Sequence, residues 1–296
     1  MDEQLRVGLV GAGPWAEMVH APGIADHPGT ALCSVWARRP EAAHALAGRF
    51  DAEVATDVDQ LLESVDAVAF AVPPAVQAEI AVRAARAGKH LVLEKPIAAT
   101  LRDAQALADA VGEAGVASLV VLTRRYAPET KELLAQLQRT GGWTGADARW
   151  LNGGILSGPF ADSPWRHDRG ALDDVGPHVF DLLDAALGPI TGVLAANRSA
   201  TGLWQVLLEH ESGATSTASL SQTLPIQPPI AELTIYGEHG ARSLPRGGTS
   251  AQDCFAALLD DFVAMVGSGT TEHPLDVRRG LHLQRVTALA RERAGL

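Results

Sequence analysis

Short apolar runs alternate with helical stretches from the start of the chain to Leu122. The runs are Leu5–Val10, Ala31–Trp36, Asp66–Val72, Leu91–Leu93 and Ala117–Leu122. Each is bounded by glycine, proline or polar residues, as buried strands are. Helical stretches fall after the first run and over Glu41–Gly48, Ala75–Ala87 and Thr100–Gly112. Gly88 fits a C-terminal cap for the alanine-rich helix before it. Strand–helix alternation of this kind predicts a doubly wound parallel sheet, an α/β domain over residues 1–122.

Past Leu122 the rhythm changes. A helix is expected from Thr123-Arg124-Arg125-Tyr126-Ala127-Pro128 to about Gln138. Strand patterns then follow at Gly145–Leu151, Ile190–Asn197, Gly202–His210, Ala214–Leu220 and Ala231–Tyr236. Glu211-Ser212-Gly213 reads as a hairpin turn. Few helices separate these strands, which predicts an α+β domain with an antiparallel or mixed sheet over residues 123–296. A helix over Ala251–Val266 and a segment over Val277–Ala294 close the chain, and the last is expected to pack back on the first domain.

Composition narrows the function. Hydrophobic residues make up 47% of the chain and charged residues 20%. Both are ordinary for a globular protein. A net charge of -11 argues against a nucleic-acid partner and against anionic membranes, both of which need a basic face. Cys33 and Cys254 lie in apolar runs without CxxC spacing and read as buried thiols of a reducing compartment. Met1-Asp2-Glu3 leads straight into the first strand without a signal peptide, and no apolar run has transmembrane length. A cytoplasmic protein is therefore expected.

The chemistry sits at strand ends. Gly11-Ala12-Gly13-Pro14-Trp15-Ala16 follows the first strand and opens a helix, the placement that gives a GxGxxG/A dinucleotide fingerprint its meaning. Gly11 permits the turn, Gly13 lets the backbone approach a pyrophosphate, and Ala16 allows close helix–strand packing. A glycine-rich turn without ligand is the plainer alternative. At the end of the second strand the acid that grips an adenosine ribose is missing. Ala37 stands there, with Arg38 and Arg39 next. A small residue beside guanidinium forks suits a 2′-phosphate, so NADP is the expected cofactor and NAD the alternative; solvated loop arginines are the competing explanation. The strand Leu91–Leu93 delivers Glu94, Lys95 and Pro96 to its carboxyl end, where ligands of open parallel sheets bind.

A second constellation lies in Trp165–Asp181. Pro177 fits the first position of a helix and Gly188 its cap. Asp174 lies just before that helix and His178 in its first turn. The four-residue offset suits a general base with a carboxylate that fixes its tautomer. Equally, Asp174 could cap the helix and His178 be a polar core residue. A metal site is disfavoured: Asp181 adds a third potential ligand, but no HExxH-like pattern or cysteine set accompanies it.

Taken together, GAGPWA after a strand, GKHLVLEKP, RRYAP, and WR followed by LDDVGPH resemble the Gfo/Idh/MocA family of oxidoreductases over nearly the whole chain. The resemblance implies a Rossmann domain, a mostly antiparallel second domain with the active site between the two, a tightly bound NAD(P), and reversible oxidation of a sugar or polyol hydroxyl. By position it makes Lys95 the lysine that touches substrate and nicotinamide ribose, His178 the acid/base and Asp174 its partner. Trp165 and Arg166 fall near cofactor and substrate, and Tyr126 joins the substrate pocket. Val72, Pro73 and Pro74 fall on the adenosine side, with Gln77 where many members carry a cofactor-side histidine, and Glu94 beside the cofactor. It also implies a homo-oligomer, a dimer or tetramer. The resulting expectation is an NADP-preferring dehydrogenase of a secondary alcohol or ketone on a small sugar-like molecule. The rivals are a non-catalytic cofactor-binding sensor and a dehydrogenase of a non-sugar substrate, such as a biosynthetic ketone or dihydrodiol. Ile155–Phe160 and Gln222–Pro229 are the stretches expected to decide the substrate.

Overall fold

The structure is a computed structural model, and it describes residues 4–244 and 247–296. The lead-in reading of Met1–Glu3 lies outside the described residues. The chain forms two compact units. One takes in residues up to Thr123 together with Ser250–His282, the other Arg124–Thr249 and Leu283–Leu296.

In the first unit the elements run β1 (Leu5–Val10), α1 (Ala21–Asp26), β2 (Thr30–Trp36), α2 (Pro40–Ala47), β3 (Glu53–Val54), α3 (Val58–Ser64), β4 (Ala67–Phe70), α4 (Pro74–Arg86), β5 (His90–Leu93), α5 (Leu101–Ala114) and β6 (Ser118–Val120). The strands form one parallel sheet in the order β3-β2-β1-β4-β5-β6. Strand order reverses between β1 and β4, which makes the carboxyl ends of these two strands the switch point where such sheets bind ligands. The centre of the sheet is apolar: β4 is fully buried, and Leu91, Val92 and Leu93 of β5 likewise, while Thr30, Ser34 and Ser118 are the buried polar positions of β2 and β6. Gly88 takes a positive φ of 74° just beyond α4. There the amides of Gly88 and Lys89 return to the carbonyls of Ala85 and Ala84, the cap predicted for it.

Two elements of this unit escape the hydrophobic pattern. Strand β3 has only two residues, and α3 is short and acidic. Its start is nevertheless well marked. Asp57 accepts from the Gln60 amide at 2.9 Å. Gln60 in turn accepts from the Thr56 amide at 2.7 Å, so the cap is reciprocal. The helix after the fingerprint also departs from expectation. Residues Ala16–His20 form a π-turn, closed by the Ala21 amide on the Ala16 carbonyl, before α1 begins.

The second unit contains α6 (Pro128–Thr140), β7 (Trp143–Leu151), α7 (Pro164–Arg169), α8 (Ala171–Asp174), α9 (Gly176–Leu187), β8 (Ile190–Arg198), β9 (Trp204–His210), β10 (Thr215–Ser221), β11 (Ile230–Gly237) and β12 (Gly240–Leu244). The sheet order is β12-β11-β7-β10-β9-β8, antiparallel except between β7 and β10. The expected single helix from Thr123 is in fact a 3₁₀ turn, Thr123–Tyr126, followed by α6. Ala127 is extended because Pro128 follows it. Strand β12 and the short helices α7 and α8 were not predicted. Strand β12 pairs with β11 across a tight turn without an apolar alternation of its own. Gly170 breaks the helical run with a φ of 71°. Helices α10 (Ala251–Ser268) and α11 (Val277–Arg293) end the chain. Among the described residues no helix is long and apolar enough to cross a membrane.

Candidate active site

The first cluster of site residues surrounds the switch point of the parallel sheet. Gly11 donates its amide to the Trp36 carbonyl at 2.8 Å and has a φ of 122°. A methyl group on it would run into the Ala71 carbonyl, so this turn accepts glycine alone. Gly13 is different: a Cβ there would meet no atom within 4 Å. The space above it belongs to an open cleft of about 790 Å³, walled by Gly11–Gly13, Trp36–Arg39 and Ala71–Pro73. The structure thus brings together Gly11, Gly13, Ala37, Arg38, Arg39, Val72 and Pro73. Arg38 and Arg39 are exposed, and among the described residues neither has an ion-pair partner. The cleft fits a dinucleotide: a bare backbone at Gly13 gives room for a pyrophosphate, and no carboxylate stands at Ala37. Ala16 is fully buried in the π-turn, and Pro74 opens α4 directly after Pro73.

The second cluster lies at the end of β5. Glu94 is 9% exposed, and its carboxylate is surrounded by donors. Oε1 accepts from Trp15 Nε1 at 2.6 Å and lies 2.9 Å from His20 Nε2; Oε2 accepts from the Lys95 amide at 3.2 Å. Lys95 is half-buried, and its bond to Pro96 is cis. Gln77 has a different task from the cofactor-side contact expected of it. Fully buried, it accepts from the Glu94 amide at 2.8 Å and donates to the carbonyls of Glu94 at 2.7 Å and Ile97 at 3.0 Å. Both ends of its amide are committed to main chain beyond the last ladder pair of β5, Leu93–Val120. Glu94 and Trp15 are likewise tied to each other, rather than standing as separate walls of the cleft. His20 was missed from sequence. Its signal was available only in three dimensions, since Glu94 lies 74 residues away.

The third cluster belongs to the second unit. Arg166 lies over the rings of Phe160 and Trp165, at 4.4 and 4.5 Å, and donates from Nε to Asp174 Oδ2 at 3.0 Å. Such stacking draws a guanidinium to the ring faces. Gln222 Nε2 donates to the same oxygen at 2.7 Å. Asp174 is therefore held by a guanidinium and an amide, both from outside its own helix. His178 is buried and stacked on Trp150, with centroids 5.7 Å apart and planes 17° apart. Pro177 sits in the first turn of α9, as predicted. Asp181, a conceivable metal ligand by sequence, instead receives Arg125 Nη1 at 3.0 Å in a buried ion pair. Among the described residues no group of three His, Cys, Asp or Glu is placed to hold a metal. Neighbouring Asp173 is buried against Arg291. Burial pushes its carboxyl above the usual range, although Arg291 and Arg169 pull the other way. Tyr126 is buried beneath Lys131, whose Nζ lies 5.2 Å from the ring centre. Gln222 is a site residue that sequence reasoning reached only as the first residue of a pocket-lining stretch.

A parallel sheet with a glycine turn at its switch point, a bare cleft above it and a buried acid–lysine strand end define a dinucleotide-binding protein. Residues 5–122 match the family model described as oxidoreductase family, NAD-binding Rossmann fold, and residues 138–242 match the GFO/IDH/MocA C-terminal domain. The chain belongs to this Gfo/Idh/MocA oxidoreductase family. It is 34% identical over 127 residues to 4-carboxy-2-hydroxymuconate-6-semialdehyde dehydrogenase of Sphingobium sp., covering 42% of this chain and 40% of that protein. It is 32% identical over 215 residues to levoglucosan dehydrogenase of Pseudarthrobacter phenanthrenivorans, covering 65% of this chain and 54% of that protein. The matches thus span about half or less of these relatives' length. In fold, the chain is similar to GenD2 from gentamicin A biosynthesis, crystallised in complex with NAD, with a TM-score of 0.86 and 23% identity over 100% of this chain and 95% of that one.

Proposed function

We propose that the protein is an NADP-preferring dehydrogenase that exchanges hydride with a secondary alcohol or ketone of a small, sugar-like molecule. The observation that carries the cofactor preference is the far wall of the cleft: Ala37 in place of an acid, with Arg38 and Arg39 exposed and, among the described residues, without ion-pair partners. A 2′-phosphate offers anionic oxygens to such guanidinium forks, whereas a bare ribose hydroxyl would want a carboxylate there. Bound nicotinamide supplies the hydride acceptor or donor.

The chain's own residues supply orientation and proton handling. Gly11 and Gly13 hold the pyrophosphate against bare backbone, with Pro14, Trp15 and Ala16 shaping the turn behind them. Val72, Pro73 and Pro74 flank the adenosine side. Lys95 holds the reacting oxygen by its ammonium. His178 takes the hydroxyl proton; its Nδ1 is buried, which leaves Nε2 as the working nitrogen. Asp174 is assigned as the carboxylate partner of His178, and Arg166 and Gln222 fix that carboxylate in place. Trp165, Phe160 and Trp150 give this unit an aromatic surround, which favours a substrate with one apolar face. Tyr126 joins the substrate side through the turn it ends.

Relatives named as dehydrogenases of an anhydrosugar and of a muconate semialdehyde support the reaction class and leave the substrate class wide. A homo-oligomer assembled through the sheet of the second unit is part of the same proposal. Strands β9 and β10 alternate buried with exposed positions, as in a sheet with one face outside the core and open to a partner. Free thiols at Cys33 and Cys254 support work in a reducing cytoplasm.

The test is turnover of purified protein with NADP⁺ against a panel of polyols and cyclic sugars, and with NADPH against ketones. His178→Ala should abolish turnover with any substrate found and leave NADPH affinity within about threefold of the parent. Turnover surviving in this variant contradicts the role given to His178. A folded protein that binds NADPH and turns over nothing in the panel favours the sensor reading.

A further inference from the structure

The π-turn after the fingerprint has a consequence for Lys95. An α-helix advances about 100° per residue, so two side chains five residues apart point about 140° away from each other. Closing the turn by an i to i+5 bond, as the Ala21 amide does on the Ala16 carbonyl, brings positions five apart onto the same side of the turn. Trp15 and His20 are five apart, and they converge on one atom. Trp15 Nε1 donates to Glu94 Oε1 at 2.6 Å, and His20 Nε2 lies 2.9 Å from the same oxygen. An uninterrupted α-helix could present only one of them to Glu94.

His20 is fully buried, with its ring against Phe255 at 4.6 Å between centroids, and among the described residues its Nδ1 has no hydrogen-bond partner. Burying an imidazole this way costs free energy unless its polar edge is used, and the one edge in use is turned to Glu94. The other oxygen of Glu94 accepts the Lys95 amide at 3.2 Å. We propose that His20 is a positioning residue for Lys95: with Trp15 it fixes the Glu94 carboxylate, and the fixed carboxylate holds the main chain from which the lysine projects. Gln77 clamps the same peptide from the opposite side through the Glu94 amide and carbonyl. The strand end is thus braced on its side chain by the π-turn and on its backbone by α4. The functional meaning of this brace rests on the role proposed for Lys95, but its physical effect does not.

The chain holds three lysines, Lys89, Lys95 and Lys131, which makes the effect directly readable. Reductive methylation with ¹³C-formaldehyde keeps each charge and gives each lysine an assignable methyl signal. In cofactor-free protein, His20→Phe keeps the ring packing against Phe255 and removes the contact to Glu94. Trp15→Phe removes the other donor. Each should move or broaden the Lys95 signal while Lys89 and Lys131 stay in place. His20→Gln carries an amide N–H of similar reach and should return the Lys95 signal to the parent position. A Lys95 signal unchanged in both phenylalanine variants, each folded by circular dichroism, overturns the proposal. So does a signal displaced equally in His20→Phe and His20→Gln, which would mark a packing effect alone. Should His20→Phe fail to fold, Trp15→Phe and His20→Gln decide the matter. Because no cofactor or substrate is present, failure of the NADP reading leaves this measurement untouched.

Discussion

Replacing Gln77 with leucine is a sharp perturbation, because the side chain is fully buried and its amide is engaged with main chain at both ends. Leucine keeps the volume within one or two atoms, so cavity formation contributes little. What is lost is the acceptor for the Glu94 amide at 2.8 Å and the donor to the carbonyls of Glu94 at 2.7 Å and Ile97 at 3.0 Å. A buried group left without its partner costs about 1–3 kcal/mol, and a carbonyl is more easily accommodated than an amide. Counting one N–H fully and the carbonyls in part gives a loss of about 3 kcal/mol. At about 2–4 °C per kcal/mol for a domain of this size, the melting temperature should fall by about 6–12 °C. Gln77→Glu sharpens the test. It retains the acceptor but sets a carboxylate against two carbonyls, so at neutral pH it should be at least as destabilised. It should recover partly on acidification, when the protonated carboxyl donates again. Thermal unfolding followed by circular dichroism without cofactor reads both. A Gln77→Leu protein melting within about 1 °C of the parent, yet with weakened NADPH binding, would refute the structural brace and return Gln77 to the cofactor.

Two further perturbations separate folding from binding and test the pH response. Gly11→Ala combines a positive φ with a collision against the Ala71 carbonyl. It should destabilise by about 3 kcal/mol in chemical unfolding. Gly13→Ala meets no atom, so its stability should stay within about 0.5 kcal/mol of the parent. Its NADPH binding should nevertheless weaken at least about tenfold by calorimetry; a Gly13→Ala protein that binds normally removes the pyrophosphate from this cleft. His90 accepts the Ala117 amide on Nδ1 at 3.0 Å, and burial holds its pKa below the ordinary 6.5. The unfolded chain therefore binds the proton first as pH falls. The His90 contribution is complete above 6.5 and is lost as pH drops from there through the lowered folded value. His90→Asn keeps an acceptor that does not titrate, and urea midpoints across this range should show a flatter decline than the parent; equal slopes would discount the histidine.

Much of this arrangement was legible in the sequence, and the limits are physical. Strands such as Leu5–Val10 and Leu91–Leu93 announce themselves because both faces are buried, so nearly every position is apolar. The two residues of β3 carry no periodicity at all, and α3 is so short that its apolar face is three residues, Val58, Leu61 and Leu62. Gly11 and Gly13 could be placed from spacing, since a turn is a local object. The partners of Glu94 could not: Trp15, His20 and Gln77 reach it across 79, 74 and 17 residues. Nor could the hold on Asp174 by Gln222, which lies 48 residues further along the chain. The π-turn is the least readable feature, because its five residues are too few to show a period of their own before α1 begins.

The central claim is that the cleft at Gly13 takes NADP through Arg38. Calorimetric titration of cofactor-free protein with NADPH and then NADH, repeated on Arg38→Ala, tests it most directly. NADPH should bind at least about tenfold tighter than NADH, a difference of about 1.4 kcal/mol, with that advantage lost in the variant and NADH binding unchanged. NADH binding equal to or tighter than NADPH, or an NADPH preference that survives Arg38→Ala, would contradict it.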